Sequence, residues 1–533
     1  MADYIHKAEA QRAARDASIP LHLLSDLSSA SVPPLPHEPL PLPHSKSEPH
    51  KPEPTAIYDT LNATLVPAKL LSLEDNAITT TALPKLVDLL STGKLSSVRC
   101  TEAFLCRAVL AHQLVNCCTD FFPDLALARA KECDEHLAKH GKPIGPLYGL
   151  PISLKDQFHI QDTKLTMGYV GWIDRPPAKS HSVITQVMLR AGAVLYVRTS
   201  IPQSLMRCET HNHIYGRTLN PFNRSFTPGG SSGGEGALVG MHGSPLGLGA
   251  DIGGSVRVPS AFNGLWGCDR ASNAFFGRGG DVHASCFGGE TLGTGSPFGF
   301  DAVNEDAYSL KDLQLKKGST ASQEPLGQSG KLCFAILWDD GVIRPHPPIT
   351  RALRETKEKL ISAGHAVIDW IPHDHLRAYD IISRIYTADG GEDIRRSCAE
   401  GGEPVMFNLM ADGKEHKHRN TFESWQLNQE KTTEGKTGTG RPVDAIIAPW
   451  NLLDRPCVVF PVGYVDPSND KKEKLEKPYQ DLGDGVDQMY WDRYEPEEWA
   501  NLPINLQVVG KRLQDEELLG IAKVIRDAGA TLH

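Results

Sequence analysis

Apolar residues along this chain follow two different spacings. From Leu83 to about Leu137 they recur three and four positions apart, which predicts amphipathic helices that cover a sheet. A further helix is predicted from about Thr350, as its N-cap, to a stop at Gly364. Residues 1–20 are typical of a short surface helix.

Short apolar runs predict strands of the buried type, at residues 193–197, 332–337 and 445–448. From Pro151 to Asp156 the pattern alternates, so Ser153 and Lys155 share one face of a strand. Lys155 then emerges at the end of a largely buried strand. Strands that alternate with helices predict the α/β class.

The composition is typical of a soluble globular protein. The chain has 533 residues, 40% of them hydrophobic, and a formal net charge of -10, which argues against nucleic acid as a main partner. No apolar run approaches the roughly 20 residues of a spanning helix. The charged N-terminus lacks the apolar core of a signal peptide, so we expect a cytoplasmic location and no membrane contact. The sequence leaves open whether the protein is a monomer or a homodimer.

Cysteine and histidine usage bears on metals. Eleven cysteines, an odd number, indicate reduced thiols, and the adjacent Cys117 and Cys118 have no second pair at zinc spacing. The pairs His211 with His213 and His373 with His375 suggest a metal site, but a third ligand is not evident and polar surface histidines are the more common case. We therefore expect no metal.

The N-terminal region differs from the rest in its proline content. Residues 31–55 are too rich in proline for regular helix or sheet, and a connector over the surface is favoured over an SH3 ligand. The predicted organisation is residues 1–56 as helix and connector, followed by one domain over residues 57–533.

The run from Pro228 to Gly267 carries the strongest chemical signal, because it places Ser231 and Ser255 in separate glycine-rich turns. Glycine lets backbone N–H groups approach a bound atom closely, as an oxyanion hole requires. A flexible linker would not continue into apolar sequence, and a P-loop needs a Gly-Lys-Ser/Thr ending. A nucleophile elbow needs a strand before it, whereas the residues up to Pro228 are typical of a loop.

A lysine can activate a serine nucleophile. The serine hydroxyl needs a base within hydrogen-bonding reach, and lysine is a base only when burial lowers its pKa from about 10.4 towards neutrality. The predicted position of Lys155 favours this. An ordinary solvated lysine at a strand end is the alternative.

With Lys155 in the segment GLPISLKDQF, this Gly/Ser run closely resembles the amidase signature family, and in particular the fungal acetamidase-like amidases. The resemblance implies one large α/β/α sandwich around a mixed central sheet. It also implies carboxamide hydrolysis without any cofactor. Ser255 would be the nucleophile that forms an acyl-enzyme, Lys155 the base, and Ser231 the bridge between them, following a cis Gly230–Ser231 peptide bond.

The resemblance assigns further roles around these serines. The N–H groups of Ile252, Gly253, Gly254 and Ser255 would form the oxyanion hole, and Leu205 would contact the substrate or be a core residue. Supporting residues would be Ser232, Asp251 and Arg257. For Asp251 and Arg257 the alternative is a surface ion pair.

Two segments depart from the family pattern. After Gly267 the residues from Cys268 to about Gly330 do not align and suggest a divergent insert or a defective gene model. The segment around Pro449 and Trp450 is shorter than in relatives, where a longer one walls the substrate pocket.

Three functions remain. The first is an amidase that releases ammonia from small monocarboxylic amides. The second is an inactive relative with a binding or structural role, against which the intact Lys155, Ser231 and Ser255 count. The third is the amidotransferase subunit that takes ammonia from glutamine for a tRNA-bound amino acid, which would need partner subunits.

Overall fold

The computed structural model describes residues 2–27, 61–269, 285–288, 331–341, 343–371, 375–406, 417–437, 447–453, 455–472, 486–511 and 514–532. The proline-rich residues 31–55, most of the stretch 268–330, and His373 with Asp374 lie outside this part of the chain.

Helices make up much of the described chain. Their bounds are α1 Ala2–Ala17, α2 Pro67–Leu70, α3 Leu73–Thr79, α4 Leu83–Ser91, α5 Ser97–Val115, α6 Pro123–His140, α7 Val183–Arg190, α8 Gly233–Gly240, α9 Arg257–Phe262, α10 Pro347–Ser362, α11 His375–Tyr386, α12 Glu392–Gly401, α13 Thr421–Thr437, α14 Ile447–Leu452, α15 Val486–Arg493 and α16 Asp515–Asp527. Among the described residues, every helix is too short or too polar to cross a bilayer.

The strands form one large sheet and two small ones. Their bounds are β1 Cys118–Phe121, β2 Pro151–Lys155, β3 Val194–Thr199, β4 His211–Asn212, β5 Gly216–Arg217, β6 Leu246–Gly249, β7 Trp266–Asp269, β8 Ser285–Gly288, β9 Cys333–Leu337, β10 Ala366–Trp370, β11 Cys457–Tyr464 and β12 Pro503–Val509. The large sheet has the order β1-β3-β2-β6-β8-β7-β11-β12. The small ones pair β9 with β10 and β4 with β5.

The large sheet is mixed, as the resemblance implies. Strand β2 runs parallel to both β3 and β6, whereas β1 pairs antiparallel with β3, and β8, β7, β11 and β12 pair antiparallel with their neighbours in the sheet. Every residue of β2 is buried, because the strand lies inside the sheet with helices packed over it. The α/β class with a mixed central sheet covered by helices is confirmed.

Two apolar clusters flank the sheet. The first packs α4, α5 and α6 onto β1, β2, β3 and β6, and the second packs α10 and α16 onto β11 and β12. A smaller cluster joins α1 to the body, where Ala8 lies among Val170, Ile173 and Ile214. The predicted N-terminal helix is therefore present, and its side that carries Ala8 packs against the rest of the protein.

Several predicted elements need correction. The helix placed at Thr350 begins at Pro347, since a proline at the first helical position already has the right φ and lacks only an N–H that the helix does not use. Of the strand predicted at residues 445–448, the first two residues lie outside the described part of the chain, and the last two are helical, in α14. So short an apolar run does not distinguish strand from helix.

Two strand predictions were also incomplete. Strand β9 exists, but among the described strands it pairs with β10 alone, and Cys333 and Ala335 are exposed rather than buried. Strand β1 lies within the region predicted to be helical, between α5 and α6. The divergent stretch predicted from Cys268 to about Gly330 begins inside β7, where Cys268 and Asp269 pair with β11, and most of it lies outside the described residues.

Candidate active site

Lys155 ends the central strand β2, with its side chain inside the protein. It is 1% exposed, and its Nζ donates to Ser231 Oγ at 2.7 Å and to the Ala250 carbonyl oxygen at 3.3 Å. Its backbone partner on β3 is Thr199. The alternative of a solvated strand-end lysine is therefore wrong.

Burial controls the charge state of this amine. Loss of hydration lowers the pKa of Lys155 to about 7, although the negative charges of Asp251 and Glu235 oppose the shift. A large fraction of the amine is consequently neutral at physiological pH, as a proton acceptor must be.

Ser231 lies in the turn that leads into α8. The Gly230–Ser231 peptide bond is cis, and Ser231 is 1% exposed. Residues 218–232 contain no strand, which agrees with the exclusion of a nucleophile elbow. The next residue, Ser232, donates its backbone N–H to the Ser255 carbonyl oxygen at 3.1 Å and so joins the two serine turns.

Ser255 lies in the turn between β6 and α9. It is half-buried, and among the described residues its hydroxyl has no hydrogen-bond partner. The Ser231 and Ser255 hydroxyls are therefore not hydrogen-bonded to each other in this structure. Ser232 Oγ donates to the Ala250 carbonyl oxygen at 3.4 Å, the same oxygen that Lys155 contacts.

The Asp251 carboxylate organises the Ser255 turn. It accepts the N–H of Gly254 at 2.7 Å and of Val256 at 3.0 Å, and Arg257 binds both its oxygens at 3.0 Å. Both side chains of this ion pair are 0% exposed, so the alternative of a surface pair is wrong. Burial alone would raise the pKa of Asp251, but Arg257 and these hydrogen bonds hold it below its ordinary value.

The predicted oxyanion donors are not all equally free. The Gly254 N–H points at Asp251 Oδ1, so it is already used. The N–H groups of Ile252, Gly253 and Ser255 make no backbone hydrogen bond within the described residues. The Gly254 N–H therefore holds the turn against Asp251, and the oxyanion role assigned to this set of N–H groups stays a prediction.

Comparison with known proteins identifies the family. The Amidase family model matches residues 99–273 and 301–438. The chain belongs to the amidase family. It is accordingly a hydrolase of carboxamide bonds, as the resemblance predicted.

Relatives of this amidase span most of its length. It is 38% identical over 509 residues to an acetamidase of Aspergillus oryzae, which covers 86% of this chain and 91% of the relative. An acetamidase of Emericella nidulans is equally similar, at 38% over 510 residues. Among solved structures, a fatty acid amide hydrolase superposes with a TM-score of 0.79 at 31% identity, over 98% of this chain and 94% of that one.

Glu235 is a buried acid of this amidase that the sequence interpretation missed. It lies on α8 at 0% exposure and accepts Ser153 Oγ at 2.6 Å and Thr199 Oγ1 at 2.7 Å. Burial raises the pKa of Glu235 to about 7, while these hydrogen bonds and the charge of Lys155 oppose the shift. Nothing in the sequence around Glu235 predicts its hydrogen bonds to Ser153 and Thr199, which lie on other elements.

Asn451 is a second residue that sequence interpretation missed. Its Nδ2 donates to Asp251 Oδ1 at 3.1 Å and to Asp269 Oδ2 at 3.3 Å, and its Oδ1 accepts from Arg257. Asn451 lies on α14, inside the segment that departs from the family pattern. That segment therefore contributes a direct contact to the Asp251–Arg257 pair, as does Asp269.

Leu205 lies in the segment between β3 and β4 and is half-buried. Its φ is 63°, and that of Ser204 is 75°, so two consecutive residues with side chains occupy the left-handed region. Such backbone conformations concentrate at functional segments. The substrate contact assigned to Leu205 stays a prediction.

Three of the four paired histidines, His211, His213 and His375, lie within the described residues, and His373 lies outside them. His213 Nε2 lies 3.0 Å from the Pro404 carbonyl oxygen, and burial lowers the pKa of His211 to about 4. His375 is buried at the start of α11.

Another group of potential ligands is found in the core, where His112, Cys117 and Cys118 lie within 4.8 Å of one another. His112 Nδ1 already accepts the Cys118 N–H, and burial raises the pKa of the Cys118 thiol. Metals bind the thiolate, which such burial disfavours. We assign no metal to this group.

Proposed function

We propose that this amidase hydrolyses small monocarboxylic acid amides to a carboxylate and ammonia, with Ser255 as nucleophile, Ser231 as bridge and Lys155 as base. The observation that carries the proposal is the 2.7 Å hydrogen bond from the buried Lys155 amine to Ser231 Oγ. The two acetamidases at 38% identity support a small acyl group in the substrate.

The first half-reaction forms an acyl-enzyme. Ser255 Oγ attacks the amide carbon while its proton passes to Ser231, and the Ser231 proton passes to the neutral Lys155. Negative charge develops on the carbonyl oxygen, where the N–H groups of Ile252, Gly253 and Ser255 stabilise it. The C–N bond then breaks, and the leaving nitrogen takes a proton from Lys155 through Ser231, so ammonia departs.

Water completes the turnover. The same relay removes a proton from water as it attacks the ester carbon, and the C–O bond to Ser255 breaks with return of the proton to Oγ. Lys155 is neutral again at the end of the cycle. The different burial of the two serines supports this order, because Ser231 is enclosed whereas Ser255 is half-buried.

A fluorophosphonate probe tests the nucleophile without a guess about the substrate. We expect one adduct, which peptide mapping by mass spectrometry places on Ser255, and none in Ser255→Ala. Ser91→Ala, at an exposed hydroxyl on α4, should label like the parent protein. Labelling of another serine would contradict the assignment, and absence of any adduct in folded protein would favour the inactive relative.

Ammonia release from acetamide tests the reaction itself. Ser255→Ala should be inactive, and Lys155→Ala nearly so, with a smaller loss at high pH where hydroxide can replace the base. Ser231→Ala should lose several orders of magnitude. Ordinary activity of either Ser255→Ala or Lys155→Ala at all pH values would rule out the proposed mechanism.

A further inference from the structure

Tyr386 reaches the Ser255 turn from a distant part of the chain. It is the last residue of α11, and its hydroxyl donates a hydrogen bond to the Ile252 carbonyl oxygen. The ring also lies against Gly253. A Cβ built on Gly253 would be 2.9 Å from the tyrosine oxygen and 3.3 Å from Cζ, so only glycine leaves room for this contact.

The geometry of a peptide unit gives this contact a consequence. The Ile252 carbonyl and the Gly253 N–H belong to one planar trans peptide and point in opposite directions. A donor fixed on the carbonyl therefore fixes the direction of the N–H on the other side. It also polarises the unit, and chains of hydrogen bonds strengthen one another in this way.

Helix α11, which carries Tyr386, is held in place by contacts with α13 and α14. Ile381 and Ile382 are buried against residues of α13 and α14, and Arg384 on the same helix binds Glu430 of α13 at 2.7 Å. Burial raises the pKa of Tyr386, so the hydroxyl keeps the proton that it donates.

We propose that Tyr386 is a positioning residue of the oxyanion site, which holds the peptide between Ile252 and Gly253 so that its N–H faces the oxygen where charge develops. The inference rests on the proposed function, because it takes the Gly253 N–H as an oxyanion donor. It adds a residue from outside the glycine-rich run. The hydroxyl of this residue binds the carbonyl oxygen of the same peptide unit that carries the donor N–H.

Tyr386→Phe tests the hydroxyl while it keeps the ring. We expect kcat for acetamide to fall about tenfold with KM changed less than about twofold, because the lost interaction matters mainly in the transition state. The thermal midpoint should stay close to that of the parent. Tyr490→Phe is the matched control, since Tyr490 is 43% exposed and its hydroxyl makes no hydrogen bond within the described residues, and it should keep both constants.

Inhibitor binding separates positioning from packing. A small alkylboronic acid forms a tetrahedral adduct with a serine and so resembles the transition state, whereas acetate, the reaction product, stays planar and forms no bond to the serine. Tyr386→Phe should weaken boronate binding about tenfold and leave acetate binding unchanged. Equal weakening of both ligands, or of neither, would overturn the inference.

Gly253→Ala is a second variant that disrupts the contact between Tyr386 and the Ile252 carbonyl oxygen. It keeps the inference testable if Tyr386→Phe folds poorly. The added methyl should displace the hydroxyl from the Ile252 carbonyl, lower kcat, and combine with Tyr386→Phe less than additively. Full additivity would overturn the inference.

The outcomes for the two proposals are distinguishable. Parent-like kinetics and boronate binding of Tyr386→Phe, together with an inactive Ser255→Ala, would overturn the role of Tyr386 and leave the proposed function intact. An active Ser255→Ala would overturn both.

Discussion

In the proposed mechanism, Lys155 sets the pH range in which the site can work. Because burial lowers its pKa to about 7, the neutral amine that accepts a proton is present above this pH and is lost below it. We expect kcat/KM for acetamide to rise with pH through about 7 and then level off. A profile that is flat from about pH 5 to about pH 9 would contradict the assignment of Lys155 as the base.

Glu235 should shift that profile. Its negative charge raises the pKa of Lys155, so Glu235→Gln should lower this pKa and move the rise in kcat/KM to lower pH. A pH series on the variant measures the displacement. Glu132→Gln, on the exposed surface of α6, removes the same charge elsewhere and should leave the profile unchanged. A rise displaced to higher pH would contradict the electrostatic argument.

The Asp251–Arg257 pair should be the most costly one to break. Arg257→Met leaves the Asp251 carboxylate buried without its cation, which typically costs about 3–5 kcal/mol. Urea unfolding measures the loss. Arg175→Met is the control, because its pair with Glu400 is 42% exposed on each side and should contribute at most about 1 kcal/mol. Similar losses for the two variants would contradict the burial argument.

Helix α8 approaches its neighbours closely through a glycine. A Cβ on Gly234 would lie 2.4 Å from the Ser200 backbone nitrogen and 2.7 Å from the Cys117 carbonyl oxygen, so Gly234→Ala should separate α8 from β3 and unfold the protein at a much lower temperature. Gly520→Ala on α16 meets nothing within 4 Å and should be neutral or stabilising by up to about 1 kcal/mol. A thermal melt of both variants decides the point, and equal midpoints would refute it.

Sequence interpretation succeeded for elements whose signal is local. The alternation in Pro151–Lys155 fixes a strand and the side of Lys155, and the glycine-rich turns fix where Ser231 and Ser255 stand. It failed where tertiary contacts decide. Asn451 donates a hydrogen bond to Asp251, which lies 200 residues away in the sequence, and no local sequence pattern predicts such a contact. The apolar run at 445–448 is too short for its pattern to distinguish strand from helix, and its described residues are helical.

The N-terminal helix α1 packs against the rest of the folded protein. Arg12 Nη1 donates to the Ile214 carbonyl oxygen at 2.6 Å, and Ala8 is 2% exposed against the cluster around Val170. Ala8→Asp buries an unpaired charge and should lower the thermal midpoint by several degrees. Ala10→Asp, exposed two positions along the same helix, should not. Equal midpoints for the two variants would show that α1 is not docked in solution.

The contact of Asn451 with the Asp251–Arg257 pair has a consequence for synthesis. Lys155, Ser231 and Ser255 leave the ribosome long before α14 and β11, and β11 pairs with β7 directly behind the ion pair. A nascent chain that ends before Asn451 therefore carries the proposed catalytic residues and the Asp251–Arg257 pair, but lacks the Asn451 and Cys457 side chains that contact this pair. We therefore expect amidase activity to appear only when translation is nearly finished. The nascent chain should be inactive while it is attached to the ribosome.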